Sequence, residues 1–359
     1  FDEKGIKKRD AYINSLVNGC TGVKRTTGQH PGGIMVIPRN MDVHHFTPIQ
    51  RPADDTTTNT ITTHFDYHSI SSRLVKLDIL GHDDPTVIKM LENITHRDPR
   101  TIPFDDPATM SIFSSTEALG VTPEELGATS GTFGIPEFRT PFTRQMLDDT
   151  KPQKFSGFSH GTNVWLENAQ DLITSGTCTV SDAISCRDDI MMHLIHSGID
   201  PLFSFKTMEK VRKGKGLSED DIKVMKDGGI PQWYIDSCLK IKYLFPRAHA
   251  TAYVMMAYRI AFCKVHYPLA FYAAYFSIRA AEFDADIISK GKLAVRDKLD
   301  EIIELEKQKK LSVKDKGFQV VLELAWEMYL RGFSVEKIDL YKSNADKFIL
   351  HEKSLLPPF

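Results

Sequence analysis

The chain has 359 residues and a formal net charge of −2, from 45 Lys/Arg and 47 Asp/Glu, with 41% hydrophobic residues. That length suits two or three domains with real cores, and charged residues at 26% are ordinary for a globular protein. No apolar run approaches the ~18 residues of a membrane span and no leader pattern opens the chain, so neither membrane insertion nor secretion is expected.

In chain order, residues 1–18 read as a charged, frayed helix, and their opening at Phe1 reads like the interior of a longer chain. A Gly/Thr-rich stretch follows with Lys24, Arg25 and His30, then "IMVIP" as a short buried strand stopped by Pro38. "TITTHFDYHSI" alternates with period two and predicts a strand. In "RLVKLDIL", Val75, Leu77 and Ile79 fall on one strand face, Lys76 and Asp78 on the other. Asp84 reads as an N-cap with Pro85 at the first helical position, followed by an apolar stripe of Val87, Ile88, Leu91 and Ile94. Helical rhythm dominates from about residue 107 to 330. Residues 249–280 predict two consecutive helices, the second opened by Pro268 and the first apolar almost all round, hence central. Residues 292–310 read as a solvent-exposed helical arm, and 333–359 as the start of another module. The fold class is therefore α+β, mostly α.

The five cysteines (Cys20, Cys178, Cys186, Cys238 and Cys263) are scattered and form no C-x-x-C pair. A disulfide framework or cysteine zinc site is not expected, and a reducing compartment fits better. Charge is uneven: residues 204–266 hold 12 Lys/Arg against 6 Asp/Glu, while residues 98–128 hold one Arg against 6 acids. A basic face for anions is one reading and solvated helix surface is the other.

Four sets of residues could do chemistry. Asp78, at a strand end before a turn into a helix, can offer oxygen to Mg²⁺ or simply cap the turn. His64, Asp66 and His68 share one face of the predicted strand, a metal-ligand geometry that supports a zinc or manganese hydrolase as the alternative function. Arg212, Lys213 and Lys215 sit in "RKGKG", a Gly-flexed loop suited to phosphates but not a Walker loop. Lys242 and Arg247 lead into the apolar helix, with His249 and Tyr253 one turn apart on one face; phosphate outside and an aromatic ring inside suit a nucleotide. His30 before two glycines, and Arg187 at a helix start in "CRDD", are further phosphate candidates.

The segments "TTGQHPGGIMVIP", "FTPIQRPADD", "TTHFDYHSI", "LVKLDILGHDDPT", "GTFGIPEF", "CRDDIM", "VRKGKGL", "WYIDSCLKIKY" and "FPRAHATAYVMMAYRIAFCKVHYPLAFYAAYFSIRA" occur in this order. Together they closely resemble the catalytic subunits of PolC-type DNA polymerase III of Gram-positive bacteria, a C-family polymerase. The resemblance implies a partial palm of the polymerase β-like nucleotidyltransferase fold over residues 1–100, with the end of the thumb connection. It implies helical fingers over 101–290, then a helical arm and the start of a duplex-binding module over 291–359. It implies template-directed nucleotidyl transfer from dNTP to a primer 3′-hydroxyl, with two Mg²⁺ ions held by three palm aspartates. Asp78 matches the third of these. The other two belong to a D-x-D strand upstream that is not in this sequence, so the chain alone is expected to be inactive. Asp284 and Asp286 in "FDADI" follow the fingers helices at a helix start and are not that pair. The resemblance supports His249 and Tyr253 beside the incoming nucleotide, with Arg247, Lys242 and Arg187. It supports Arg212, Lys213, Lys215, Lys76 and His30 on triphosphate or DNA backbone. Implied partners are primer–template DNA, dNTPs and, in a full protein, the sliding clamp and clamp loader, in the cytoplasm. The PHP, exonuclease, zinc-element and clamp-tail segments of the family have no counterpart here, and "KPQKFSGFSHG" is shorter than the family pattern.

Overall fold

The computed structural model describes residues 5, 7–23, 27–30, 32–79, 81–152, 155 and 169–359. Lys24, Arg25 and most of the short "KPQKFSGFSHG" stretch lie outside these residues. The chain parts between His82 and Asp83 into two compact units.

The first unit opens with α1 (Asp10–Cys20), none of whose residues is buried. β1 (Gly33–Val36) pairs antiparallel with β4 (Val75–Asp78), in the register Gly33↔Asp78, Ile34↔Leu77, Met35↔Lys76 and Val36↔Val75. Between them lie β2 (Ile49–Gln50) and β3 (Thr62–Thr63), paired with each other, and the one-turn helix α2 (Tyr67–Ile70). Two expectations fail here. "IMVIP" is not a buried strand: Ile34 is 54% and Val36 42% exposed, and their partners Leu77 and Val75 are 48% and 64% exposed. A two-stranded ribbon covers only one of its faces, and here the face holding Met35 and Lys76 is the half-buried one. Nor does "TITTHFDYHSI" form one strand. The strand stops at Thr63 because the Asp66 side chain accepts the His68 N–H at 3.0 Å and starts α2. Asx capping outcompetes the period-two pattern.

The second unit begins with α3 (Asp83–Thr95), whose stripe turns inward as its spacing requires. Asp84 is not its cap. It sits inside the first turn, 1% exposed, with its carboxylate on the guanidinium of Arg279. Short proline-started turns follow, α4 (Pro107–Ser111) and α5 (Pro123–Leu126), capped by Asp106 and Thr122. Next come α6 (Pro141–Thr150) and α7 (Gln170–Thr174). The helices α8 (Arg187–His196), α9 (Pro201–Arg212), α10 (Glu219–Asp227) and α11 (Gln232–Lys240) enclose a core of their own, built on Ile190, Leu194, Val211, Tyr234 and Ile235.

The predicted helix pair is present as α12 (Arg247–His266) and α13 (Pro268–Arg279). Their roles differ from the expectation. Burial of α12 starts only at Val254, whereas Ala270 to Phe276 of α13 are buried without interruption. The second helix is therefore the central one, packed against α3 and α12, and it leaves the first turns of α12 at the surface. α14 (Ala285–Ile288) is capped by Asp284, which accepts the Ile287 N–H at 3.0 Å, so "FDADI" is a helix start. The charged stretch that follows is not a free arm. α15 (Lys292–Lys307) buries Val295, Leu299 and Ile302 and packs on α16 (Val313–Leu330). β5 (Ser334–Val335), β7 (Ser354–Leu356) and β6 (Ile349–His351) close the chain as a three-stranded sheet in that order, with Leu355 in the main core. The α+β, mostly α expectation holds. All five cysteines are free thiols, and among the described residues no helix is long and apolar enough to cross a membrane.

Candidate nucleotide- and DNA-binding surfaces

In the first unit, β4 delivers Asp78 to the end of the ribbon, opposite Gly33. The Lys76 ammonium lies 3.1 Å from Asp78 Oδ1 and 4.6 Å above the Tyr67 ring centroid. A Cβ on Gly33 would fall 2.9 Å from His30 Nδ1 and 3.4 Å from Lys76 Cδ, so the glycine is what leaves room for both side chains against the ribbon. His30 Nδ1 also accepts the Gly32 N–H at 3.2 Å. Three residues singled out from the sequence, His30, Lys76 and Asp78, thus converge. His30 and Lys76 border a cleft of about 700 Å³ that is also lined by Gln50, Thr62 and Tyr67. Tyr67 was missed, hidden inside the supposed metal motif.

That motif does not assemble. His64 Nδ1 lies 2.6 Å from Gln50 Oε1, Asp66 caps α2 and His68 is within α2. Among the described residues no three His, Cys, Asp or Glu side chains group as metal ligands. The hydrolase alternative loses the shared strand face on which it stood. Asp78 supplies one hard, half-exposed oxygen donor, a type that suits Mg²⁺ as one ligand of a larger set.

In the second unit the basic residues gather around Glu209. Arg212 grips it bidentately, Nε to Oε1 and Nη2 to Oε2 at 3.0 Å, Lys213 Nζ lies 3.0 Å away, and Arg187 Nη1 3.6 Å away. Hydrogen bonding from Arg212, helped by Lys213, overcomes the effect of burial and holds the Glu209 carboxyl down at about 2. Backbone bonds fix the same knot: Leu244 N–H donates to Arg212 O at 3.2 Å and Arg187 N–H to Phe245 O at 3.1 Å. Lys215 is exposed, its N–H on Lys210 O at 3.0 Å. Gly214 has φ +66°, and a Cβ there would lie 2.5 Å from the Lys242 carbonyl oxygen. Gly214→Ala is therefore expected to destabilise this lobe by about 1–3 kcal/mol and to speed amide exchange at Leu244. An unchanged urea midpoint would show that the loop yields freely.

The start of α12 is less open to an anion than its position suggests. Its Arg247 N–H donates to Asp188 Oδ2 at 2.7 Å, and the Arg247 guanidinium binds Asp189. Burial pushes the Asp189 carboxyl up, but hydrogen bonds from Ser185 and Cys186 and the Arg247 charge more than reverse this and leave it below the usual range. Past this clamp, Phe245 stacks on His249 at 4.8 Å and 13°, and His249 meets Tyr253 at 4.6 Å. An aromatic column stands beside a cationic knot within one unit. Glu209, Phe245 and Asp189 were missed in the sequence. Only Glu209 carried a signal, its spacing of three and four to Arg212 and Lys213.

Two family models match the chain on either side of the division between its units: the bacterial DNA polymerase III alpha NTPase domain over residues 2–81, and the bacterial DNA polymerase III alpha subunit finger domain over residues 84–228. The chain is similar to the DNA polymerase III PolC-type of Clostridium perfringens, 55% identical over 100% of this chain and 25% of that protein. It is 56% identical to the PolC-type protein of Bacillus subtilis over 99% of this chain, and 57% identical to that of Halalkalibacterium halodurans over 98%, again 25% of each relative. The chain thus spans about a quarter of the length of the relatives it matches. Over that quarter, the two family models and the identities place it in the PolC-type DNA polymerase III family.

Proposed function

We propose that this chain contributes palm and fingers to a replicative DNA polymerase that joins a dNTP to a primer 3′-hydroxyl, with pyrophosphate as the leaving group. The observation that carries this reading is the cationic knot of Arg187, Arg212 and Lys213 beside the aromatic column Phe245–His249–Tyr253. Cations meet phosphate oxygens, and aromatic faces accept a base or sugar. In this reading His249, Tyr253, Arg247, Lys242 and Arg187 face the incoming nucleotide, and Arg212, Lys213, Lys215, Lys76 and His30 serve phosphates of triphosphate or DNA. Mg²⁺, when bound, supplies electrophilic stabilisation of the attacking and leaving oxygens, and Asp78 is this chain's carboxylate for it. Lys76 holds the Asp78 carboxylate in place until then.

The test is binding of the chain to a labelled primer–template duplex across a salt series. Each phosphate contact contributes about −0.9 to the slope of log affinity against log salt. Arg212, Lys213 and Lys215 together predict a slope of about −3 or steeper. A folded chain that shows no binding at low salt, or binding indifferent to salt, would remove the DNA reading of this surface.

A further inference from the structure

We propose that Glu209 is a positioning residue: an internal counter-ion that holds Arg187, Arg212 and Lys213 together as one phosphate-receiving site and is displaced when a phosphate arrives. This rests on the phosphate reading of the knot given above. The three cations come from two different helices and a loop, the start of α8, the end of α9 and the residue after it. Among the described residues Glu209 is the carboxylate that all three share. In the free chain Glu209 offsets the mutual repulsion of these three like charges, a role that an arriving phosphate takes over, while the backbone bonds to Leu244 and Phe245 keep the knot in place. Yet one carboxylate is a poor match for three cations. It offers two oxygens and one negative charge, and Arg187 reaches it only at 3.6 Å. A phosphate offers more oxygens and more charge, and a planar guanidinium binds it bidentately. Arg187 also has a buried Nε with no hydrogen-bond partner, a donor left over by the present arrangement. The exchange is of ion pairs only. Because Glu209 stays ionised down to about pH 2, the counter-ion is in place at any working pH.

A carboxylate that only braced the fold would, when neutralised, weaken ligand binding. A counter-ion that competes with phosphate would, when neutralised, strengthen it. In the 359-residue chain, Glu209→Gln is expected to bind about three- to tenfold more tightly at low salt, with a log–log salt slope steeper by about 0.9. Glu209→Asp, which keeps the charge, is expected to keep the parent slope. Glu209→Ala is a second neutral variant in case the glutamine folds poorly, and circular dichroism checks each fold. Two probes separate the sources of phosphate. Tightening for inorganic tripolyphosphate assigns the site to a nucleotide triphosphate, and tightening for a primer–template duplex assigns it to the DNA backbone. Folded neutral variants that bind both probes no better than the parent overturn the proposal. Arg212→Gln separates this failure from that of the underlying reading. If it leaves both probes unaffected, the knot binds no phosphate at all. If it weakens binding while neutral Glu209 variants fail to tighten it, only the counter-ion role is lost.

Discussion

Replacing Glu327 with leucine is expected to destabilise the second unit by about 3–5 kcal/mol. Glu327 and Lys264 are both fully buried and 2.8 Å apart. The ammonium also donates to Gly131 O at 2.7 Å and Phe133 O at 2.6 Å, which ties the "GTFGIPEF" loop to α12 and α16. Tyr272 Oη donates to Glu327 Oε1 at 2.6 Å, and Arg331 donates to Tyr272 Oη and Lys264 O, each at 3.1 Å. Removing the carboxylate leaves a buried ammonium without its counter-charge and the Tyr272 O–H without its acceptor, a far greater cost than the loss of one surface pair. At about 2–4 °C per kcal/mol for a unit of this size, the melting midpoint should fall by roughly 6–20 °C. The double change Lys264→Met with Glu327→Leu should recover most of this, because the two losses are one interaction. A midpoint shift of only a degree or two in the single variant would mean that the core rearranges to rehydrate Lys264. The pH dependence has a definite sign. Burial, opposed by Glu327, brings the Lys264 pKa down to about 8 from its usual 10.5. Between these values the unfolded chain holds a proton that the folded chain does not, so this group's penalty is full below pH 8 and is relieved as pH rises. Lys264→Met should remove that alkaline gain.

None of this network is visible in the sequence, and the reason is distance along the chain. Lys264 and Glu327 lie on two helices, α12 and α16, and nothing in either segment names the other as its partner. The same holds for Asp84 and Arg279, where a good local reading, an N-cap before a proline, gave way to a buried ion pair made far downstream. What could be read was local and periodic: the α3 stripe, the helix pair split at Pro268, the helix start at "FDADI". Short alternation was the weak signal. "HFDYH" satisfies a strand pattern and an Asx-capped turn equally well, and only the hydrogen bond from the His68 N–H to Asp66 decides between them. The candidate site was legible as residue types and not as a constellation. Arg187 and "RKGKG" were separate phosphate candidates until Glu209 joined them. The partial occupation of the α12 N-terminus by Asp188 and Asp189 could not be read from the helix's own residues.

Asp78 is where a small structural role and a large proposed chemical role can be told apart. In a full-length PolC-type polymerase carrying this chain, Asp78→Asn is expected to lower kcat for primer extension by more than about 100-fold, beyond the 10–100-fold typical when only a supporting partner of a metal site is lost. Stability should hardly move. The Asp78 side chain is 53% exposed and its ion pair is with Lys76 on the same strand, a contact open to solvent on its carboxylate side and worth about 0–1 kcal/mol. Primer–template affinity should be held or improve slightly, because Asn removes a negative charge facing a polyanion and frees the Lys76 ammonium to meet phosphate. The signature is therefore a collapse of kcat with an unchanged melting midpoint and no loss of DNA binding, read by single-turnover extension alongside duplex titration. Lys76→Met is the companion variant. It removes the same ion pair and leaves the oxygen donor, so it should weaken DNA binding while retaining most of the catalytic rate. If Asp78→Asn and Lys76→Met instead lose activity to the same degree, the ion pair itself matters and Asp78 is not a metal ligand. If Asp78→Asn keeps more than about a tenth of the parent rate, the magnesium-binding carboxylates lie elsewhere, since an amide oxygen without charge cannot replace a carboxylate on a hard dication.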